Sequence, residues 1–139
     1  MFIKRKNKFK NFIFLFTLFL FFGSKISSQD MTAVELYKSC KNYHDWITSK
    51  FNTPVDEQLL FNMGKCQGVI ETTGKMMLTL CKESKRNVNI SKQLSANLEG
   101  IKSFQIIDFL VQEATNMTNL QKYNGQFFLM QLIRKRWPC

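Results

Sequence analysis

The four cysteines of this chain, Cys40, Cys66, Cys81 and Cys139, constrain its fold more than any other feature of the sequence. Their meaning depends on the compartment, because thiols stay reduced in the cytosol and form disulfides after export. No two of them form a C-x-x-C pair, and His44 is the one histidine of the chain. The spacing therefore argues against a zinc site and against a thioredoxin-type redox pair, which need closely spaced ligands or thiols.

The N-terminal segment indicates which compartment applies. Residues 1–11 are strongly cationic, residues 12–22 are apolar apart from one threonine, and small residues follow. This is the order of a secretory signal peptide, and a helix of eleven residues is only about 16 Å long, too short to cross a bilayer. We predict a signal peptide over residues 1–28, cleaved after Ser28, with Ser24 and Ser27 as alternative sites and an uncleaved anchor as the competing interpretation. The cysteines of the exported chain are then expected to be oxidised.

The charge distribution narrows the choice of partners. The whole chain has 20 Lys and Arg against 10 Asp and Glu, a net charge of +10. Six of the basic residues and none of the acidic ones lie in residues 1–28, so residues 29–139 keep 14 basic and 10 acidic side chains, a net charge of +4. Because the basic excess belongs mostly to the leader, we expect no nucleic-acid partner. No second apolar run of spanning length follows the leader, so we also expect no membrane attachment after cleavage. Residues 29–139 are of a length for one small domain.

Helical periodicity dominates the domain. A T-x-x-E capping box at Thr32 and Glu35 predicts the start of a first helix. A second helix is predicted to have Thr53 as its cap, Pro54 at its first position and Asp56 near its positive end. The inward stripes of these two helices are predicted to hold Leu36, Cys40, Tyr43 and Ile47, and then Leu59, Met63, Cys66, Ile70, Met77 and Cys81.

The second half of the chain is less regular. We predict a polar surface loop over residues 82–92, a short helix over about 91–99, and a further helix capped by Ser103. A second loop over residues 114–120 precedes a last helix over about 121–136, which is expected to bury Tyr123, Phe127, Met130 and either Ile133 or Trp137. The predicted fold is therefore all-α, a compact bundle of four to five helices stapled by two disulfides.

The geometry of the first two helices suggests how the cysteines pair. Position 53 lies midway between Cys40 and Cys66, at the predicted turn, so these two residues would face each other in an antiparallel helix pair. That assignment leaves Cys81 to pair with Cys139. Two other pairings stay open, because four cysteines allow three connectivities.

Two glycines in the second helix need an explanation. Gly64 and Gly68 lie four positions apart, and each costs a helix about 1 kcal/mol relative to alanine. We expect a close approach by another part of the backbone to compensate for this cost.

Known catalytic patterns are not found in the sequence. His44 follows Cys40 by four positions, but an oxidised Cys40 is no nucleophile, and we expect His44 to pack against Trp46 or Tyr43. The pair Asp56 and Glu57 is better explained by complementing a helix dipole than by acid–base chemistry. We therefore predict no catalytic residues, no metal ligands and no cofactor.

An ordered set of motifs resembles a known family. Its elements are the leader, Cys40 in the first helix, the stretch C-Q-G-V-I over residues 66–70, Cys81 at a helix end, and the terminal W-P-C over residues 137–139. The stretch after Ser103 is also similar to the third helix of that family. Together they resemble the Tai-like family of periplasmic immunity proteins, which protect bacteria against type VI secreted cell-wall amidases. The chain departs from the family at Val69, where an aromatic is usual, and in a longer segment over residues 82–102.

The resemblance implies a function for the domain at residues 29–139. It would be a non-enzymatic periplasmic protein that binds a cell-wall amidase effector and plugs its cleft, and it could form a homodimer. The expected contact surface is Lys82, Glu83, Lys85, Arg86 and Asn87, with Arg134 and Arg136 at the rim. The alternative is a small disulfide-bonded periplasmic chaperone or envelope stress protein.

Overall fold

The structure is a computed structural model, and it describes residues 30–52, 54–86 and 92–139. Four α-helices make up most of these residues: α1 (Ala33–Thr48), α2 (Glu57–Arg86), α3 (Ser103–Thr115) and α4 (Gly125–Arg136), with short 3₁₀ turns at Lys92–Leu94 and Leu120–Lys122. Two isolated bridges, Thr32 with Asn124 and Ala96 with Pro138, are the β-type pairings of the described part. The all-α class is confirmed, whereas the predicted signal peptide at residues 1–28 lies outside the described residues.

Both predicted disulfides are present. Cys40 is bonded to Cys66 with the Cα atoms 4.9 Å apart, and Cys81 is bonded to Cys139 with the Cα atoms 5.5 Å apart. The first joins α1 to α2 inside the core, since Cys40 and Cys66 are completely buried. The second ties the distal part of α2 to the end of the chain.

The start of α1 follows the sequence prediction closely. The hydroxyl of Thr32 accepts a hydrogen bond from the backbone N–H of Glu35 at 3.2 Å, and the Glu35 carboxylate accepts one from the N–H of Thr32 at 2.9 Å. This reciprocal pair is a capping box. It fixes the rotation of α1, which buries Leu36 and Cys40 against the rest of the bundle.

Both ends of α2 differ from the prediction. The helix begins at Glu57 because the Asp56 carboxylate accepts a hydrogen bond from the N–H of Leu59 at 2.7 Å, so Asp56 is the cap and Pro54 precedes the helix. Thr53, the predicted cap, lies outside the described residues. At the other end α2 continues to Arg86, through residues that we expected in a loop. The inward stripe continues there as Ser84, which is buried and donates to the carbonyl of Cys81 at 2.9 Å.

The predicted short helix over residues 91–99 is wrong. After one 3₁₀ turn the chain is extended, because the N–H of Ala96 donates to the carbonyl of Met77 at 3.2 Å and the N–H of Asn97 to that of Trp137 at 3.0 Å. These bonds to α2 and to the chain end replace the bonds that a helix would make. Ser103 is likewise the first residue of α3 and not its cap.

The buried face of α4 differs in part from the prediction. Ile133 is buried as expected, but Phe128 is buried in place of Phe127, and Tyr123 and Phe127 are 39% and 52% exposed. The cause is Gly125, whose N–H donates to the carbonyl of Met31 at 2.7 Å. A Cβ at position 125 would lie 2.9 Å from that same oxygen, so the close approach sets the rotation of the helix. Because several apolar residues of α4 are adjacent in the sequence, the sequence alone is compatible with more than one rotation of this helix about its axis.

The explanation expected for Gly64 and Gly68 is wrong. Apart from the adjoining turns of α2, no described residue comes within 4 Å of where a Cβ would stand at either position, and both glycines are exposed. The glycine of α2 with a close neighbour is Gly74, whose Cβ would be 3.4 Å from the Cδ1 atom of Leu98. The described fold therefore gives no packing reason for Gly64 and Gly68.

Candidate functional site

All four cysteine sulfurs are used in covalent bonds, and this limits the chemistry near the lone histidine. Cys40 is bonded to Cys66, so its sulfur is not a thiolate that His44 could activate. The Nε2 atom of His44 instead lies 3.1 Å from Oδ1 of Asp108 on α3. Its ring is stacked on that of Phe104, with centroids 5.7 Å apart. The packing against Trp46 or Tyr43 that we expected is replaced by this contact with α3.

Perturbed ionisable groups lie along the helix surfaces. The pKa of Glu35 is lowered by the hydrogen bonds from Thr32, chiefly from its backbone N–H. The pKa of Glu71 is lowered by the amide of Gln67, which donates to it at 2.8 Å, and by the charge of Lys75. Each shift has a local helical cause, a cap in one case and neighbours on the same helix face in the other.

The predicted contact residues lie at one end of the bundle, which we call the basic end. Lys82, Lys85 and Arg86 are exposed on the last turns of α2, and Glu83 pairs with Arg86 at 3.2 Å. The Cys81–Cys139 disulfide connects this part of α2 to the residues that follow α4. Arg134 and Arg136 lie just before them, in the last turn of α4. Asn87 lies outside the described residues.

The arginines of the basic end also have contacts within the chain. Arg134 donates to the backbone carbonyl of Gln93 at 3.2 Å, and the guanidinium of Arg136 lies 5.9 Å from the centre of the Phe109 ring. Neighbouring Lys135 pairs with Glu113 at 2.9 Å. These contacts hold the basic side chains at the end of α4 in place, and basic residues still outnumber acidic ones at the basic end.

A second surface, which the sequence did not predict, lies where α1 turns into α2. We call it the hairpin tip, and it consists of four exposed apolar side chains: Phe51 (61% exposed), Val55 (45%), Leu60 (57%) and Phe61 (60%). Trp46 packs edge-on against the Phe51 ring, with the centroids 4.5 Å apart. Large apolar side chains exposed close together along one short stretch are typical of interaction surfaces.

The backbone at the hairpin tip is strained. Lys50 and Phe51 have φ angles of 54° and 64°, in the left-handed region that favours glycine. The N–H of Phe51 donates to the carbonyl of Trp46 at 3.2 Å, which ends α1 in the manner of a Schellman motif. Each such non-glycine residue costs about 1–2 kcal/mol. A glycine usually marks this motif, so the turn between α1 and α2 was predicted from the sequence but its left-handed backbone was not.

These features define the class of the protein: a small all-α domain with two disulfides, which are consistent with an exported chain in an oxidising compartment. Within the described ranges, no cluster of three His, Cys, Asp or Glu side chains could hold a metal ion. None of the helices in that part of the chain is long and apolar enough to cross a membrane. Comparison with known proteins found no matching family model, curated protein or solved structure.

Proposed function

We propose that this chain is a non-enzymatic periplasmic immunity protein that binds a secreted peptidoglycan amidase and occludes its active-site cleft. The observation that carries the proposal is the hairpin tip, where Phe51, Leu60 and Phe61 are each more than half exposed. Aromatic residues are enriched in protein interfaces, where a few buried side chains supply most of the binding energy. The resemblance of the cysteine pattern to the Tai-like family supplies the choice of partner.

The mechanism is steric, and it depends on rigidity behind the hairpin tip. The Cys40–Cys66 bond clamps α1 to α2 five residues beyond Phe61, inside the core. Ser49 and Lys50 also donate their N–H groups to the last carbonyls of α1, at 2.9 and 3.1 Å. A tip that is ordered before binding loses less conformational entropy on association, so more of the contact energy appears as affinity.

The basic end lies at the opposite end of α2, about 30 Å along the helix from Phe61, so we propose it as a separate contact that steers the partner and not as part of the tip interface. The basic side chains of this surface outnumber the acidic ones that pair with them, Glu83, Glu99 and Glu113, so it would attract an acidic partner at long range. We expect charge reversal at Lys85 and Arg86 to slow association and to make it more sensitive to salt. Loss of the tip side chains is expected to speed dissociation instead.

The proposal is tested by co-expressing this protein, in the periplasm of a bacterial host, with any cell-wall hydrolase that a neighbouring gene encodes. The wild-type chain should rescue the cells from lysis. Phe51→Gly should abolish rescue, and the strain that glycine relieves at this position offsets the lost packing on Trp46. A second test variant, Leu60→Ser, should also reduce rescue. Its matched control is Leu94→Ser, which changes an exposed leucine away from the tip and should leave rescue unchanged.

Two outcomes would count against this function. One is lysis in the presence of correctly folded wild-type protein; the other is equal rescue by the wild-type and Phe51→Gly chains. Recovery of only envelope chaperones in a pull-down from periplasmic extract would also oppose it.

The exposed apolar side chains also suit the second candidate, a small periplasmic chaperone. Such a protein would protect an aggregating client at low pH with no specific partner, and a light-scattering assay with a standard client separates the two functions. The resemblance further suggests a homodimer, which sedimentation at two protein concentrations would detect as a rise in mass.

A further inference from the structure

The two disulfides of this protein differ in their access to solvent. Cys40 and Cys66 are completely buried and Cys81 is 1% exposed, whereas Cys139 is an exposed residue. Thiol–disulfide exchange begins when a thiolate reaches one of the two sulfurs, so access decides which bond is attacked. The Cys40–Cys66 bond can react only when the core opens. The Cys81–Cys139 bond, which we call the outer disulfide, has one of its two residues at the surface.

The charges near the outer disulfide favour an anionic attacking group. Lys85 is exposed and follows Cys81 by four positions, which places it one turn further along the same face of α2. Arg134 and Arg136 belong to the last turn of α4, which leads directly to Cys139. Reactive cysteines typically lie in positively charged, partly exposed surroundings of this kind, because positive charge stabilises a thiolate.

The groups that contact the sulfurs also differ between the two bonds. Cys40 and Cys66 belong to the apolar core, where burial disfavours a thiolate. The Oγ atom of Ser84 lies 3.6 Å from Sγ of Cys139, and in the oxidised protein this hydroxyl donates to the carbonyl of Cys81. Because a hydroxyl rotates about its C–O bond, it can turn to donate to a thiolate at Cys139.

The outer disulfide holds the end of the chain against an extended segment. The N–H of Asn97 donates to the carbonyl of Trp137 at 3.0 Å, and Ala96 forms an isolated bridge with Pro138. Both contacts are made by the two residues that directly precede Cys139. Once the bond to α2 is broken, these last residues are no longer tied in place, and a short chain end that is not tied down opens easily.

We propose that the outer disulfide is a redox-sensitive strap, which a dithiol opens at Cys139 while the Cys40–Cys66 bond stays intact. One thiolate of the dithiol attacks the Cys139 sulfur, forms a mixed disulfide with it and displaces Cys81 as a thiolate, which takes a proton from water. The second thiol loses its proton and displaces Cys139 in the same way. Two electrons pass from the dithiol, which leaves as a disulfide, to the two cysteines, which become thiols.

Opening the strap would alter the basic end. Lys82 pairs with Glu99 at 3.9 Å, and Arg134 donates to the carbonyl of Gln93 at 3.2 Å. Both of these partners lie in the segment over residues 92–99, which the chain end holds in place. Reduction would therefore loosen the anchoring of these basic side chains. The chemistry belongs to this chain alone, so its test does not depend on the proposed amidase partner.

The order of reduction tests the proposal. The purified, disulfide-bonded protein is incubated with dithiothreitol in the absence of denaturant, and samples taken at successive times are alkylated, digested and analysed by mass spectrometry. Cys81 and Cys139 should become alkylated about tenfold or more faster than Cys40 and Cys66. Equal rates, or earlier reduction of the Cys40–Cys66 bond, would overturn the proposal.

A monothiol identifies the sulfur that is attacked. Glutathione, an anionic thiol, should be found as a mixed disulfide on Cys139, with Cys81 recovered as the alkylated free thiol. Adducts on Cys81 would contradict the assigned direction of attack.

A charge reversal tests the role of the basic side chains. Lys85→Glu should slow the reaction with glutathione about threefold or more at low salt and should not slow the reaction with cysteamine, a cationic thiol. The matched control is Lys122→Glu, which changes an exposed lysine before the other end of α4 and should leave both rates unchanged. Equal slowing of the two thiols by Lys85→Glu would exclude the charge as the cause.

Hydrogen exchange tests whether the bond acts as a strap. After selective reduction and alkylation of Cys81 and Cys139, the N–H of Asn97 should exchange about tenfold or more faster than in the oxidised protein. The N–H of Gly125, which is bonded to the carbonyl of Met31 at 2.7 Å, is the control and should not change. Cys139→Ser lacks the bond without alkylation and should behave in the same way. Unchanged exchange at Asn97 in both proteins would refute the strap.

Discussion

The Nε2 atom of His44 lies 3.1 Å from Oδ1 of Asp108, and this contact joins α1 to α3 across 64 positions of the sequence. Since both side chains are partly shielded from water, we expect Asp108→Ala to lower the free energy of unfolding by about 1 kcal/mol. In a double-mutant cycle, adding His44→Ala to Asp108→Ala should cost less than His44→Ala does alone. Urea unfolding measures all four proteins, and strictly additive losses would mean that the two residues do not interact.

The two disulfides should contribute unequally to stability. Loop lengths give about 3.5 kcal/mol for Cys40–Cys66 and about 4 kcal/mol for Cys81–Cys139 in the chain-entropy model. Cys40 and Cys66 are fully buried, so replacing both with alanine also leaves a cavity in the core. We therefore expect the Cys40→Ala, Cys66→Ala protein to be the less stable of the two double variants in denaturant unfolding. The reverse order would show that the core closes around the missing sulfurs.

Gly125 and Gly68 should respond in opposite ways to the same substitution. Gly125→Ala places a methyl group 2.9 Å from the carbonyl oxygens of Met31 and Thr32, both of which are backbone atoms. We expect a loss of about 1–3 kcal/mol, because the start of α4 must move away from the segment before α1. Gly68→Ala meets open space and should gain up to about 1 kcal/mol. Thermal unfolding of the two variants compares them directly, and a similar change in both would argue against the packing around Gly125.

Stability should fall in acid in part because of Glu35. Its pKa is lower in the folded protein than the ordinary value of 4.5, since Thr32 donates two hydrogen bonds to the carboxylate. A carboxyl whose pKa is lowered by folding stabilises the protein above its unfolded pKa, and this contribution disappears as the pH falls through the folded pKa. Glu35→Gln should therefore be less stable than the wild type at neutral pH and equal to it in strong acid. A constant difference at every pH would exclude the charge as the cause.

The predictable parts of the fold depend either on residues close together in the sequence or on the equal distance of two residues from a turn. Thr32 and Glu35 form a cap within four residues, so the start of α1 could be read directly from the sequence. The pairing of Cys40 with Cys66 followed from their equal distance to a turn between two helices. The pairing of Cys81 with Cys139 then followed because no other cysteines were left.

The parts that were missed depend on distant contacts. The rotation of α4 is set by the approach of Gly125 to Met31, and no pattern within α4 contains that information. The extended chain around Ala96 is held by Met77 and Trp137, which a local reading of the sequence cannot supply. The turn between α1 and α2 was predicted, but its backbone was not, because Lys50 and Phe51 adopt left-handed angles that glycine usually marks.

The contact surface predicted from the sequence is only partly described by the structure. Lys82 to Arg86 proved to be helical, so they form a rigid surface where a loop was expected. Whether a partner binds there remains a prediction that the charge-reversal variants would test.

A peptide map of the non-reduced protein, isolated from the compartment where it accumulates, tests the foundation of this interpretation most directly. Alkylation before digestion should find no free thiol, and mass spectrometry should find the Cys40 peptide linked to the Cys66 peptide and the Cys81 peptide linked to the Cys139 peptide. Free thiols, or a Cys40–Cys81 link, would contradict both the oxidised scaffold and the exported binding protein inferred from it.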